Sequence, residues 1–318
     1  MARMETRRLE LLAELSRLGS MRAVAEALGT TTSTVSQQIA ALARETDTTL
    51  IEPDGRRVRL TPAGRRLADH AVTILAAVEA ARLDLGPGAE PHGTLRVAGF
   101  GTAIRAYLLP IVTELAASHP QVRVLIREHE PAEALHALAA DETDLALTYD
   151  YNLAPATLDP SVGATPLWTT EWGLGVPAGT QVPEGTALDV VTHFRAENWI
   201  VNSRNSADEV AIRTLASMAD FTPRVTHQAD SLDLVQAMIA AGLGVGLLPG
   251  DLAPFPGVRI VRLAAPRVVL RAYAVARHGS INWPPLALVT DLLARRTGAD
   301  AQRTGTDPRP PGRPPPGQ

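Results

Sequence analysis

The sequence predicts two folded units in series: a small all-α unit with a short β hairpin, then a larger α/β unit built as two similar lobes. Three observations carry that reading. Apolar residues recur at helical spacing from Leu9 to Leu85. An Asp54-Gly55 turn separates two short apolar-edged segments within that stretch. From Gly93 onward, strand-like and helix-like runs alternate in two successive sets.

The first unit follows in order. Leu9, Leu12, Leu15 and Leu18 share one face of a helix that Gly19 stops. Ser20 is placed to cap a second helix, Met21 to Leu28, and Gly29 supplies the break that a tight interhelical turn requires. Thr31 or Thr32 can cap a third helix. It turns Val35, Ile39 and Leu42 inward and presents Thr32, Ser33, Ser36 and Gln37 on the opposite face. Such an arrangement is a helix-turn-helix, and the hairpin Leu50–Glu52 and Val58–Leu60 follows it as a wing. Residues 1–60 are assigned to this winged helix-turn-helix.

Thr61-Pro62 opens a long helix, Thr as N-cap and Pro at the first position, and Gly86-Pro87-Gly88 ends it. Leu67, Ala71, Ile74, Val78, Ala81 and Leu85 repeat at a 4-3-4-3-4 spacing, the seam of a helix that pairs with another copy of itself. Residues 61–86 are thus a dimerising linker, and 87–92 a hinge. The α/β unit spans 93–298. Strands are expected at Leu95–Gly99, Val122–Glu128, Asp144–Thr148, Trp199–Asn202, Val225–Gln228, Val245–Leu248 and Val268–Ala276, and the last helix at Pro285–Arg295. Lobe 1 takes about 93–170 and 271–298, and lobe 2 about 171–270. The Pro- and Gly-rich residues 299–318 read as a disordered tail.

Composition narrows the function classes. The chain of 318 residues has no cysteine, which excludes disulfides, thiolate metal sites and thiol nucleophiles. No run of about 18 apolar residues suggests a membrane span, and the charged start Met1–Glu10 lacks a signal-peptide core, so a cytoplasmic protein is expected. The net charge of −4 conceals a basic start: residues 1–66 hold eleven Arg against eight Asp and Glu. The histidines show no metal-ligand spacing, and there is no phosphate-binding loop or nucleophile elbow. Gly242-Leu243-Gly244-Val245-Gly246 lies after a helix and before a strand, the reverse of a dinucleotide fingerprint. No catalytic residue, metal site or cofactor is assigned, and the chain is not expected to be an enzyme. Glu128 and Glu130 bracket a strand end and read as solvated.

The runs Ser20-Met21-Arg22-Ala23-Val24-Ala25-Glu26-Ala27-Leu28, Thr34-Val35-Ser36-Gln37-Gln38-Ile39-Ala40-Ala41-Leu42 and Leu60-Thr61-Pro62-Ala63-Gly64 together resemble the N-terminal signature of LysR-type transcriptional regulators. Ala241 to Pro249 resembles a segment of that family's sensor domain. The chain departs from the family's habit at Ala43, Ile51 and Pro53, where the family often carries Glu, Phe and Arg. The resemblance implies a transcription regulator with a periplasmic-binding-protein-like α/β effector domain, binding double-stranded DNA and assembling as a homodimer or tetramer, with RNA polymerase as a further partner.

Short polar side chains near the start of a recognition helix suit base edges, so Thr32, Ser33, Ser36 and Gln37 are the DNA-contact candidates. Arg56 and Arg57 on the wing are candidates for phosphate or minor-groove contact. Ligands of open α/β sheets sit beyond strand carboxyl ends. Thr102, Thr148, Asn202 and Ser203 therefore become the effector candidates, and a small polar or anionic metabolite the expected ligand. The rival readings are an α/β enzyme, for which no motif stands in the right context, and a solute-binding protein, which leaves the first 85 residues without a role.

Overall fold

A computed structural model describes residues 4–54, 57–86, 90–204 and 207–304. In chain order the N-terminal unit comprises α1 (Thr6–Leu18), α2 (Met21–Ala27), α3 (Thr32–Glu45), β1 (Ile51–Asp54), β2 (Arg57–Leu60) and α4 (Pro62–Leu85). Leu9, Leu11, Leu12 and Leu15 of α1 close on Val24 of α2 and on Val35, Ile39 and Leu42 of α3, all buried. Each such aliphatic contributes roughly 1.5–3 kcal/mol by leaving water, so this one cluster suffices to hold three short helices that would not form alone. Thr31 is the residue that caps α3, accepting from the Thr34 N–H at 3.2 Å. Thr61 caps α4 by accepting from the Gly64 N–H at 3.0 Å. Gly64 has no alternative: a Cβ there would lie 2.0 Å from the Leu50 carbonyl oxygen, so the Thr-Pro-Ala-Gly run fixes how the wing meets the linker helix.

The α/β unit follows as β3 (Gly93–Gly99), α5 (Gly101–Ala103), a π turn (Ile104–Leu108), α6 (Leu109–Ser118), β4 (Val122–Glu128), α7 (Pro131–Ala139), β5 (Leu145–Tyr151) and β6 (Val162–Pro177). Then come α8 (Ala187–His193), β7 (Asn198–Val201), α9 (Ala207–Met218), β8 (Arg224–Gln228), α10 (Leu232–Ala240), β9 (Val245–Pro249), β10 (Val258–Arg262), β11 (Val268–Arg277), a short 3-10 turn and α11 (Pro284–Thr304). One curled sheet runs β4-β3-β5-β11-β6-β9-β7-β8, with β10 also on β6. Its ends are parallel trios, β4-β3-β5 in one lobe and β8-β7-β9 in the other. Antiparallel β11 and β6 join them. β6 pairs with β11 along Val162–Trp172, and from Gly173 it pairs with β10, so its backbone passes from one lobe to the other.

β10 and α8 have no counterpart in the sequence reading, and four further details differ from it. β6 has no counterpart there, because Pro166 and three glycines argue against a strand; the register shift opposite Ala272/Tyr273 is a bulge that accommodates the proline. The spacing of residues 104–118 predicts one continuous helix, but it carries a π turn just before Pro110, whose missing N–H and ring disfavour a regular α turn there. β5 continues to Tyr151, because pairing with β11 and two aromatics extend it, so Thr148 lies inside the strand and not at its end. α11 passes through Gly298 to Thr304, the following Ala and Gln favouring helix, so the tail does not begin at 299.

Candidate DNA-binding face and interlobe cleft

Helix α3 turns a polar face outward. Thr32, Ser33, Ser36 and Gln37 are all exposed and occupy its first two turns, while the opposite face is fully committed to the core. A helix so anchored can lie in a groove and present hydroxyls and one amide to base edges without losing its own packing. Across the wing, Arg59 pairs with Glu52 at 2.9 Å, which ties that arginine into the hairpin. Arg56 and the Arg57 side chain lie outside the described residues. On α4, Ala71 is fully buried against the N-terminal core, and Leu67 and Ile74 pack on the same cluster. Ala71, placed on the self-association seam by spacing, is thus used within the chain, since its small side chain lets α1 approach. Val78 is half-buried, and Leu85 is 83% exposed.

The second site forms where the parallel trios face each other. From lobe 1 come Gly101 and Thr102 after β3, Glu128 at the end of β4 and Glu130 just past it, Glu133 on α7, and Tyr149 and Tyr151 on β5. Lobe 2 supplies Asn202, Ser203 and Arg204 after β7, Asp208 on α9 and Asp230 after β8. Arg204 bridges the lobes. Its Nε donates to Asp230 at 2.8 Å, and its terminal nitrogens lie 3.5 Å from Glu133 and 3.7 Å from Glu128. Asp230 also accepts from the Ser203 N–H and hydroxyl, each at 2.8 Å. Burial would raise Asp230, but these bonds outweigh it and hold its carboxyl below the usual range.

Deeper in, Glu130 is only 4% exposed and accepts from the Tyr149 hydroxyl at 3.0 Å, with Asn202 bonding it from the other lobe. Glu130 is therefore not solvated as its position at a strand end suggests; it is covered because the lobes meet there. Burial raises its pKa, and burial pushes Asp208 up to about 7. Tyr151 is 0% exposed, and its hydroxyl meets the buried Asp208 carboxyl with no other partner among the described residues.

Of the four effector candidates, the structure gathers three. Asn202 and Ser203 join the bridging cluster, and exposed Thr102 follows Gly101, against whose backbone Glu128 lies. Thr148 is apart from them: strand alternation puts it on the face of β5 opposite Tyr149 and Tyr151, and it is 3% exposed. Glu130, Arg204, Asp208 and Asp230 escaped the sequence reading. No motif marks them, and only the meeting of distant strand ends brings them together. Five carboxyl groups against Arg204 and His129 make this cleft acidic, which runs against the anionic alternative for its ligand. Among the described residues no group of three His, Asp or Glu could hold a metal ion.

Comparison with known proteins converges on one family. Residues 88–298 match the model described as the LysR substrate binding domain, and residues 6–65 the bacterial regulatory helix-turn-helix protein, lysR family. The transcriptional dual regulator GltC of Bacillus subtilis is 29% identical over 68% of this chain and 71% of its own. The nitrogen assimilation regulatory protein nac of Escherichia coli is 27% identical over 79% of this chain and 80% of its own. Among solved structures, full-length OxyR from Pseudomonas aeruginosa, carrying a cysteine-to-aspartate change, superposes with a TM-score of 0.67. It is 19% identical and covers 92% of this chain and 98% of its own. HinK, a LysR family transcriptional regulator from Pseudomonas aeruginosa, gives 0.54 at 21% identity over 93% of this chain and 100% of its own.

Proposed function

The chain belongs to the LysR family of bacterial regulatory helix-turn-helix proteins, DNA-binding transcription regulators with an effector-binding domain, and from that premise we propose how its own residues divide the work. Thr32, Ser33, Ser36 and Gln37 read base edges of double-stranded DNA, and Arg56 and Arg57 hold phosphates beside them. Leu67, Ile74, Val78 and Leu85 of α4 bring two copies together, so that two recognition helices meet two half-sites. A small polar metabolite enters between the lobes near Thr102, Asn202 and Ser203. Closure of the lobes on it selects one arrangement of the linker helices over another. The DNA it reads lies in the cytoplasm, where we place the protein.

The observation that carries this reading is the division of α3: one face built into the N-terminal core, the other exposed and presenting Thr32, Ser33, Ser36 and Gln37 in its first two turns. The test is to incubate the purified chain with sheared DNA from its native genome and sequence what it retains. Enrichment of a common motif with dyad symmetry supports the reading. Retention without any shared motif would mean that α3 does not read sequence.

A further inference from the structure

The sequence contains twelve aromatic residues of the Phe, Trp and Tyr types, four of each. Half of them form one connected group in the α/β unit. Phe100 stands edge-on to Tyr149 at 4.8 Å, Tyr149 to Tyr151 at 6.0 Å, and Tyr151 to Trp172 at 5.4 Å; Trp168 links Phe100 to Tyr107. A chain that builds nearly all its cores from Leu, Val and Ala has placed half of its ring systems behind one site.

In front of those rings stand carboxylates. Glu130 takes the Tyr149 hydroxyl, and Asp208 faces the buried hydroxyl of Tyr151, which has no other partner among the described residues. Farther out, Glu128, Glu133 and Asp230 surround the Arg204 guanidinium. Carboxylates accept the N–H donors of guanidinium or ammonium groups, and a tyrosine hydroxyl can accept one more. The protein's own guanidinium already occupies the outer part of this arrangement, one-third exposed and borne on a loop.

We propose that the interlobe cleft binds an organic cation, an amine or guanidine on a short apolar body, with Arg204 acting as an internal stand-in for the ligand's charged group. The proposal rests on the reading of this cleft as the effector site and names the chemical class of the effector. The ligand displaces Arg204 from Glu133 and Asp230, and a charged nitrogen reaches Glu130 and Asp208 beside the hydroxyl ends of Tyr149 and Tyr151. A bare metal ion is a poor occupant, since no described trio of acidic or imidazole groups could ligate one. An anion would meet five carboxyl groups. The raised Glu130 and Asp208 agree with this assignment: each keeps a proton more readily while the cation is absent, so a cation arriving below neutral pH releases protons.

The experiment uses the full chain and charge-reversed probes of similar length: agmatine and putrescine as cations, succinate as the dianion. Calorimetry in two buffers of different ionisation enthalpy reads affinity and proton release together. Agmatine or putrescine should bind with net proton release, succinate should not bind, and Asp230→Asn should weaken the cation about tenfold or more. Arg204→Ala, which vacates the nest, should tighten agmatine. Succinate binding that Arg204→Ala abolishes would overturn the proposal, as would failure of both cations to bind at about 10 mM. Retention of duplex DNA by the same preparations reports separately on the regulator. If agmatine binds and DNA binding is unaltered by it, the cation site stands and effector control through this cleft fails.

Discussion

Asp208→Asn gives a quantitative test of how the lobes meet. An unfolded aspartate ionises near 3.8, whereas burial in the folded protein pushes Asp208 up to about 7. Its neighbours Glu130 and Asp230 raise it further, while Tyr151 lowers it. Between those two pH values the folded state keeps a proton that the unfolded state has released. Asp208 therefore costs stability progressively as pH rises through this window, and the full cost is present above pH about 7. This is the reverse of an ion-paired carboxylate, whose contribution is lost as pH falls. At about 1.4 kcal/mol per pH unit, the gap of about 3 units sets an upper figure of about 4 kcal/mol, reduced in practice because the residue is not wholly sealed from water. Asparagine keeps the shape and carries no charge. The gain in stability of Asp208→Asn over the parent should therefore be larger at pH about 8 than at pH about 5, by roughly 2–3 kcal/mol. The chain's four tryptophans, Trp168, Trp172, Trp199 and Trp283, all lie in the α/β unit, so urea unfolding followed by their fluorescence isolates that unit from the DNA-binding one. An equal difference at both pH values would mean that Asp208 is not buried between the lobes.

Two further outcomes follow from the N-terminal unit and linker. Gly64→Ala drives a methyl group into the Leu50 carbonyl oxygen and should cost about 1–3 kcal/mol, read as a lower unfolding temperature of residues 1–86 by circular dichroism; an unchanged transition would contradict the close approach of α4 and the wing. Ile74→Glu places a charge on the partly buried seam of α4 and should lower the mass seen by analytical ultracentrifugation and weaken DNA binding together, whereas unchanged mass at low micromolar concentration would remove α4 from the association surface.

How much of this could be read from the sequence depends on the range of the interactions. α4 was legible to the residue because its signals are local: Thr61 and Pro62 start it and Gly86 follows it. The polar face of α3 was legible for the same reason, since its inward residues fall at helical spacing. β6 was not. Its glycines look like breakers, yet a Cβ on Gly173 would strike the Val261 carbonyl oxygen at 2.5 Å, and one on Gly175 the Leu248 side chain at 2.5 Å. They are close approaches of neighbouring strands and side chains, visible only once the sheet is assembled. The acidic cleft failed to appear for a related reason. Glu130 and Asn202 belong to different lobes, and spacing along the chain carries no signal of their meeting.

The claim that everything else depends on is that this chain grips duplex DNA through its N-terminal unit. Affinity for a random duplex, measured by fluorescence anisotropy across a salt series, tests it most directly. Phosphates neutralised by arginine release counterions, so log affinity should fall linearly with log salt, and Arg56→Ala with Arg57→Ala should flatten the slope by about 1.8 for each protomer bound. Absence of binding at low salt, or an affinity indifferent to salt, would contradict the account.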